Sequence, residues 1–339
     1  MRRKVNLFEQ VCSFDNLVKA CRKAMKGKKD KEAVAWFNFN MEFELIRLQE
    51  QLVSGAYKPG LYRCFSVHDP KERYVCSVDF KDRVVHHAIC RALEPLFEKW
   101  FIYDSYACRT DKGTHRAVSI VQDWSVEAQY FLKADVRKFF ESVDHGVLKG
   151  LLARKIKDRR LLNLTELIID KPVPGYATGK GLAIGNLTSQ WFANFYLDPL
   201  DHYIKDKLGV KHYIRYMDDF VALSDDKAML HEVKLKAGEF IEQELKLELK
   251  EKACFVAPVN EGIPFLGFRI FPGVVRLKRS GLLRFMRKIR AKERLYNEGR
   301  ISEGELVRSA ESLTGHVVHG NTKAMRRKFF AGMKDVTDF

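Results

Sequence analysis

The segment His212-Tyr-Ile-Arg-Tyr-Met-Asp-Asp-Phe-Val-Ala-Leu-Ser224 constrains the fold of this chain more than any other. Mostly apolar, β-prone residues flank Asp218 and Asp219 on both sides, which reads as strand, tight turn, strand. Adjacent aspartates at a hairpin tip repel each other and gain no hydrophobic burial. They are tolerated in solvent, where Asp is an ordinary turn residue, or used to hold cations. The pair alone does not decide between these.

Charge narrows the choice. Sixty Lys and Arg oppose 44 Asp and Glu in 339 residues, a net +16 that points to an anionic partner. Hydrophobic residues make up 46% of the chain, enough for a large core divided into two or three lobes. No apolar run is long enough to span a membrane, and no signal-peptide core follows Met1-Arg-Arg-Lys, so a cytoplasmic protein is expected. The seven cysteines are scattered, with no Cys-x-x-Cys pair, and are expected to be reduced thiols.

The positive charge is uneven. From Val274 to Phe339 there are 16 Lys/Arg and 7 Asp/Glu, so +9 of the +16 lies in the last fifth. Periodicity predicts a helix from Leu282 to about Asn297, with Leu283, Phe285, Met286, Ile289 and Leu295 as its apolar positions. Arg284, Arg287 and Lys288 on that helix are candidates for salt-dependent, sequence-blind phosphate contacts. A second carboxylate comes at the end of the predicted strand Tyr130-Phe-Leu-Lys-Ala-Asp135, followed by Phe139 and Phe140 and by Asp144-His145 opening a helix. Carboxylates at the ends of neighbouring strands can converge on a divalent ion. Mg²⁺ asks for only one or two of them beside substrate phosphates, so Asp135 and Asp218 suffice chemically.

Together these segments resemble the palm of reverse transcriptases, and the resemblance continues in order through most of the chain. Asp82-Arg-Val-Val-His-His-Ala-Ile89, Leu93-Glu-Pro-Leu-Phe97 and Asp104-Ser-Tyr-Ala-Cys-Arg109-Thr-Asp-Lys-Gly113 resemble the fingers motifs of bacterial retroelement enzymes. Lys133-Ala-Asp135 and Tyr216-Met-Asp-Asp219 resemble the two catalytic motifs. Leu247-Glu-Leu-Lys-Glu-Lys252 and Phe265-Leu-Gly-Phe268 resemble the closing palm motifs, and Thr314-Gly-His-Val-Val-His-Gly-Asn-Thr322 a thumb segment. Each motif is weak alone; their order is specific.

The resemblance implies an α+β right-hand polymerase with an antiparallel palm sheet and a helical thumb. Residues 1–120 would be the N-terminal extension and fingers, 121–273 the palm, and 274–339 the basic thumb. It also implies an RNA-directed DNA polymerase using dNTPs and two Mg²⁺ ions, with Mn²⁺ able to stand in. Asp135, Asp218 and the main-chain carbonyl of Val136 would hold metal, and Asp219 would be catalytic but less directly tied to it. Arg73 and Lys71 would grip the triphosphate. Phe140 would exclude a ribose 2′-hydroxyl, although Phe139 or Phe140 is expected in the core. Lys252 would serve as a proton donor to pyrophosphate. Arg109 and Lys112 would either support the fingers or touch template.

One motif departs from the common pattern. Most reverse transcriptases carry Gln-Gly-x-x-x-Ser-Pro at the template-and-nucleotide motif; here Ile184-Gly185-x-x-x-Ser189-Gln190 stands there. That version resembles the enzymes of diversity-generating retroelements, which copy a template-repeat RNA with misincorporation opposite adenine. An aliphatic Ile184 offers no hydrogen bond beside the nascent pair, so discrimination leans on shape. The subtype implies template RNA, cDNA product and a small basic, oligomeric accessory variability determinant as partners. Retron, group II intron-like or phage-defence enzymes are the alternatives, with a non-polymerising RNA-binding scaffold as a reading of another class. No further nuclease residues are evident, so the chain is expected to work with partners; His316 and His319 are expected to be structural. The charged run Lys28–Glu32 precedes a predicted amphipathic helix with Trp36, Phe39 and Phe43 packed on the fingers. The aromatics after Gln190 (Trp191, Phe192, Phe195, Tyr196) are expected in the core, with Pro199 ending or kinking their helix.

Overall fold

The computed structural model describes residues 6–68 and 72–331. Lys71 lies outside the described residues. Among those residues, nine strands follow in chain order: β1 (Arg63–His68), β2 (Glu72–Ser77), β3 (Tyr130–Asp135), β4 (His212–Tyr216), β5 (Asp219–Ser224), β6 (Phe255–Pro258), β7 (Ile263–Phe265), β8 (Phe268–Phe271) and β9 (Val274–Leu277). They form the sheets β1-β2, β4-β5-β3-β6 and β7-β8-β9, all antiparallel and interspersed with helices. This is the α+β class expected from the sequence.

The chain divides into two compact units, each gathered from three stretches. The first takes Met1–Arg109, Val136–Leu208 and Lys236–Lys250; the second takes Thr110–Asp135, Gly209–Leu235 and Glu251–Phe339.

In the first unit the long helix Phe80–Trp100 buries Val85, Ile89, Leu93 and Phe97, a spacing that keeps one face inward. The helix Leu187–Tyr196 packs on it with Trp191, Phe192, Phe195 and Tyr196 buried, and the Trp191 and Phe97 rings stack 5.5 Å apart. Pro199 falls in the first turn of the next helix, Asp198–His202, where its missing N–H costs nothing. Asp144 and Asp158 cap the helices His145–Lys155 and Arg159–Ile169 by accepting from Val147 N and Leu161 N. Asp82 is fully buried yet satisfied: it accepts from Tyr57 Oη at 2.8 Å and from Gly60 N at 2.7 Å, clamping the loop that feeds β1.

Two expectations are corrected in this unit. The predicted helix with Trp36, Phe39 and Phe43 is two helices, Glu32–Phe39 and Met41–Val53, and these rings are 58%, 90% and 67% exposed. The break at Asn40 resets the helical phase, so Val34 and Phe37, then Leu45, Leu48 and Leu52, take the inward positions. The cysteines are not all reduced either. Cys64 and Cys76 are opposed in the β1–β2 register with Cα atoms 4.0 Å apart and form a disulfide, while the other five remain free. Only hairpin register brings those two together; their sequence spacing does not announce it.

In the second unit, the four-stranded sheet has β3 at an interior position, paired on both sides by β5 and β6. The helices Arg279–Asn297, Glu303–Val317 and Lys323–Ala331 share a small core of Phe285, Ile289, Ala310 and Val317. The basic helix thus begins three residues earlier than predicted, and Leu283 is exposed rather than apolar lining. Asn321 ties the segment after Val317 to β9: its Oδ1 accepts from Val275 N and its N donates to Val275 O, both at 2.7 Å. His316 packs against Phe268, and the His115 and His319 rings stack at 3.4 Å. No helix among the described residues is long and apolar enough to cross a membrane.

Replacing Asp82 by Ala strands the Tyr57 hydroxyl and the Gly60 amide in the interior, and should lower unfolding free energy by about 3 kcal/mol. Tyr57→Phe, which removes one partner only, should cost about 1 kcal/mol in the same denaturant titration.

Candidate active site

β3 is buried through Phe131, Leu132, Lys133 and Ala134 and half-exposed at its two ends, Tyr130 and Asp135. The hairpin β4–β5 closes through a two-residue turn, Met217-Asp218, between the paired residues Tyr216 and Asp219. Register then sets Asp135 directly opposite Asp219, with Asp218 beside it in the turn. Three carboxylates therefore gather at one end of the sheet, half-exposed, above the fully buried Phe220, Val221 and Ala222.

The turn is held from beneath. Met217 adopts a φ of 54°, a left-handed conformation costly for a side-chain-bearing residue. The Arg215 guanidinium, in a fully buried side chain, donates to Met217 O at 3.0 Å. A buried cation is costly to keep, and this one bonds the carbonyl of the strained turn residue. A second cation, Lys133, reaches from β3 to an ion pair with Asp219. Burial pulls the Lys133 ammonium down to about 7, with Asp135 opposing that shift.

These donors suit a hard divalent cation. Asp135 and Asp218 offer carboxylate oxygens from adjacent strand ends, and among the described residues no group of three His, Cys, Asp or Glu could hold an ion by itself. One or two carboxylates beside water and substrate phosphates are what Mg²⁺ asks for. Val136 follows Asp135 and is buried, in a bridge with Leu249.

The template-motif residues lie in the first unit. Cys76 N on β2 donates to Ile184 O at 2.8 Å. Gly185 has φ 114°, and a Cβ there would sit 3.0 Å from Val75 Cγ1 and 3.1 Å from Cys76 O. The left-handed backbone and the close approach both favour glycine. Phe140 accepts from Leu182 N through its main-chain carbonyl and packs edge-on to Phe139, which is the buried member of the pair. Gln190 Oε1 accepts from the Cys108 thiol at 3.5 Å. His86, buried and pushed down to about 3 by desolvation, meets the Thr188 hydroxyl at 3.2 Å. Arg73 stands exposed on β2.

The remaining basic candidates differ in availability. Arg109 is internal: it donates to Glu98, Ile102 O and Ser105 O, with 5% of its side chain exposed. Of the two alternatives for it, the contacts match support of its own loop. Lys112, Arg284 and Lys288 are half-buried, while Arg287 and Lys252 are exposed. Arg215 was not singled out from sequence; its signal was a charge inside an otherwise apolar strand. Lys133 carried the same signal, and His86 carried none beyond its motif.

Residues 66–270 match the reverse transcriptase (RNA-dependent DNA polymerase) family. The chain belongs to that family. It is similar to protein YkfC of Escherichia coli K12, 26% identical over 275 residues, covering 67% of this chain and 71% of that protein. It is also similar to the group II intron-encoded protein LtrA of Lactococcus lactis, 22% identical over 321 residues, covering 74% of this chain and 52% of LtrA. This chain thus spans about half of LtrA's length. In fold it resembles the apo telomerase of Candida tropicalis, with a TM-score of 0.50 at 13% identity over 66% of this chain and 55% of that one. The fold is therefore that of a right-hand polymerase, and the reverse transcriptase family makes this an RNA-directed DNA polymerase.

Gly185→Ala combines a left-handed φ with a blocked Cβ and should cost about 3 kcal/mol in chemical denaturation. Gly179→Ala shares the left-handed φ but has open space around it, and should cost only about 1 kcal/mol.

Proposed function

We propose that this reverse transcriptase makes error-prone, adenine-mutagenic cDNA from a template-repeat RNA, and that the cDNA diversifies a variable gene segment. The observation that carries the reading is Ile184 in place of Gln. Its carbonyl accepts from Cys76 N, and its aliphatic side chain carries no polar group to direct at a base pair. With no directed polar contact, selection of the incoming base rests on shape, a weaker discriminator. Gln190 in place of Pro supports the same subtype.

Within this reading Asp135 and Asp218, with Val136 O, are the metal ligands, and Asp219 completes the catalytic motif. Mg²⁺, or Mn²⁺ in its place, when held there supplies activation of the primer 3′-hydroxyl and charge neutralisation on the triphosphate. Arg73, with Lys71, grips the triphosphate; the Phe140 ring blocks a 2′-hydroxyl; Lys252 gives a proton to pyrophosphate. Lys112, Arg284, Arg287 and Lys288 contact nucleic-acid phosphates. Fingers (1–120), palm (121–273) and thumb (274–339) are the working division. A basic accessory variability determinant joins the polymerase on the template RNA in the cytoplasm. A second reading, an intron-type reverse transcriptase, is favoured by the likeness to LtrA.

Reverse transcription of the native template, with and without the accessory protein, followed by error sequencing, tests the proposal. Errors concentrated at template adenines are expected, and errors spread evenly over the four bases would instead support the intron-type reading. Ile184→Gln should lower the adenine error rate by about tenfold, the scale of one lost or gained polar contact. Asp218→Asn should abolish primer extension by at least a thousandfold, on the order of a lost charge-stabilising contact, while RNA binding is retained. If the wild type also fails to extend RNA-bound primer, the protein is a scaffold. Phe140→Ala should raise rNTP incorporation in the same assay, and unchanged sugar selectivity would remove its steric role.

A further inference from the structure

Lys133 is a buried cation in a strand otherwise filled by apolar side chains, and none of the roles above uses it. It lies two residues before Asp135, so both side chains emerge on the same face of β3. The register places Asp219 opposite Asp135 and therefore diagonal to Lys133 on that face. The ammonium makes an ion pair with Asp219 Oδ1 and lies 5.4 Å from the centre of the Phe265 ring on β7. Carboxylate and ring hold it from two sides, a salt bridge with a cation–π contact. Asp135 and Asp218 also face it with opposite charge, Lys278 with like charge, and the Cys254 thiol lies near.

Without that ammonium, Asp219 would lose the cation it pairs with, beside Asp135 and Asp218. A divalent ion would then gather all three. Ligand charge count sets affinity for such ions, and each extra carboxylate removes a position that substrate phosphates or water would fill. We propose that Lys133 is a positioning residue that withholds Asp219 from the divalent metal and so keeps the site a two-carboxylate one. The inference rests on the reading of Asp135 and Asp218 as the ligands. It gives Asp219 a definite place: its negative charge is spent on Lys133, and its backbone continues β5 beside the turn.

The test is direct Mn²⁺ binding by the full chain, read by electron paramagnetic resonance without nucleotide or primer. Lys133→Met frees Asp219 and should tighten Mn²⁺ binding on the order of tenfold. Unchanged or weaker binding by the folded variant overturns the proposal. Lys133→Met/Asp219→Asn removes both charges together, which avoids a stranded buried ion. Its Mn²⁺ affinity should stay within about twofold of wild type, because neither residue is a ligand; a loss of about tenfold or more would make Asp219 a ligand and overturn the proposal. Asp218→Asn separates the two layers of inference. It should lose Mn²⁺ binding, and if it binds as the wild type does, the metal site itself has been misread and the role of Lys133 falls with it.

Discussion

The antiparallel register between β3 and β5 is the constraint on which the candidate site depends. Pairing Asp135 with Asp219 puts two carboxylates on one face at one end of the sheet and brings the Met217-Asp218 turn beside them. A slip of one residue would turn Asp135 to the opposite face and carry Lys133 with it. That slip is resisted because Leu132 and Ala134 on one strand, and Phe220 and Ala222 on the other, are fully buried. β3 is also paired by β6 on its other side, so its position is fixed twice. Hydrophobic burial along the strands thus pays for the crowding of charge at their ends.

That crowding is managed by cations drawn from the same strands. Arg215 supports the turn through a carbonyl, and Lys133 neutralises one carboxylate. Each is costly to bury and each has a partner, which is the condition under which a folded chain retains such groups. In the other unit the template motif is held differently, by main-chain contact. Ile184 O accepts from β2, and Gly185 lies so close to Val75 and Cys76 that a Cβ would crowd both. The Cys64–Cys76 disulfide joins the two strands of that hairpin at the residue that donates to Ile184.

Much of this was legible beforehand. The Asp218-Asp219 hairpin, the strand ending in Asp135, the aromatic core helix after Gln190 and the basic helix near Arg284 all follow from short-range periodicity and turn chemistry. The failures share a cause. Trp36, Phe39 and Phe43 read as the apolar face of one amphipathic helix, but Val34 and Phe37 take the inward side of the first helix and Leu45, Leu48 and Leu52 that of the second. Cys64 and Cys76 carry no spacing signal, since their meeting depends on strand register. Arg109 carries two readings from sequence, support of the fingers or template contact, because its acceptors Glu98, Ile102 O and Ser105 O come together only in the folded chain.

By itself the sequence determined which residue types stand at strand ends and turns, because strand alternation and turn preference act over a few residues. It determined as well that Ile184 and Gln190 replace the common pair in the template motif. Only the tertiary structure decided that Asp219 faces both Asp135 and Lys133, and that Arg215 lies beneath Met217. Those relations join positions up to 86 residues apart along the chain, and no local preference specifies them. They are set when the strands pair and their apolar faces leave water.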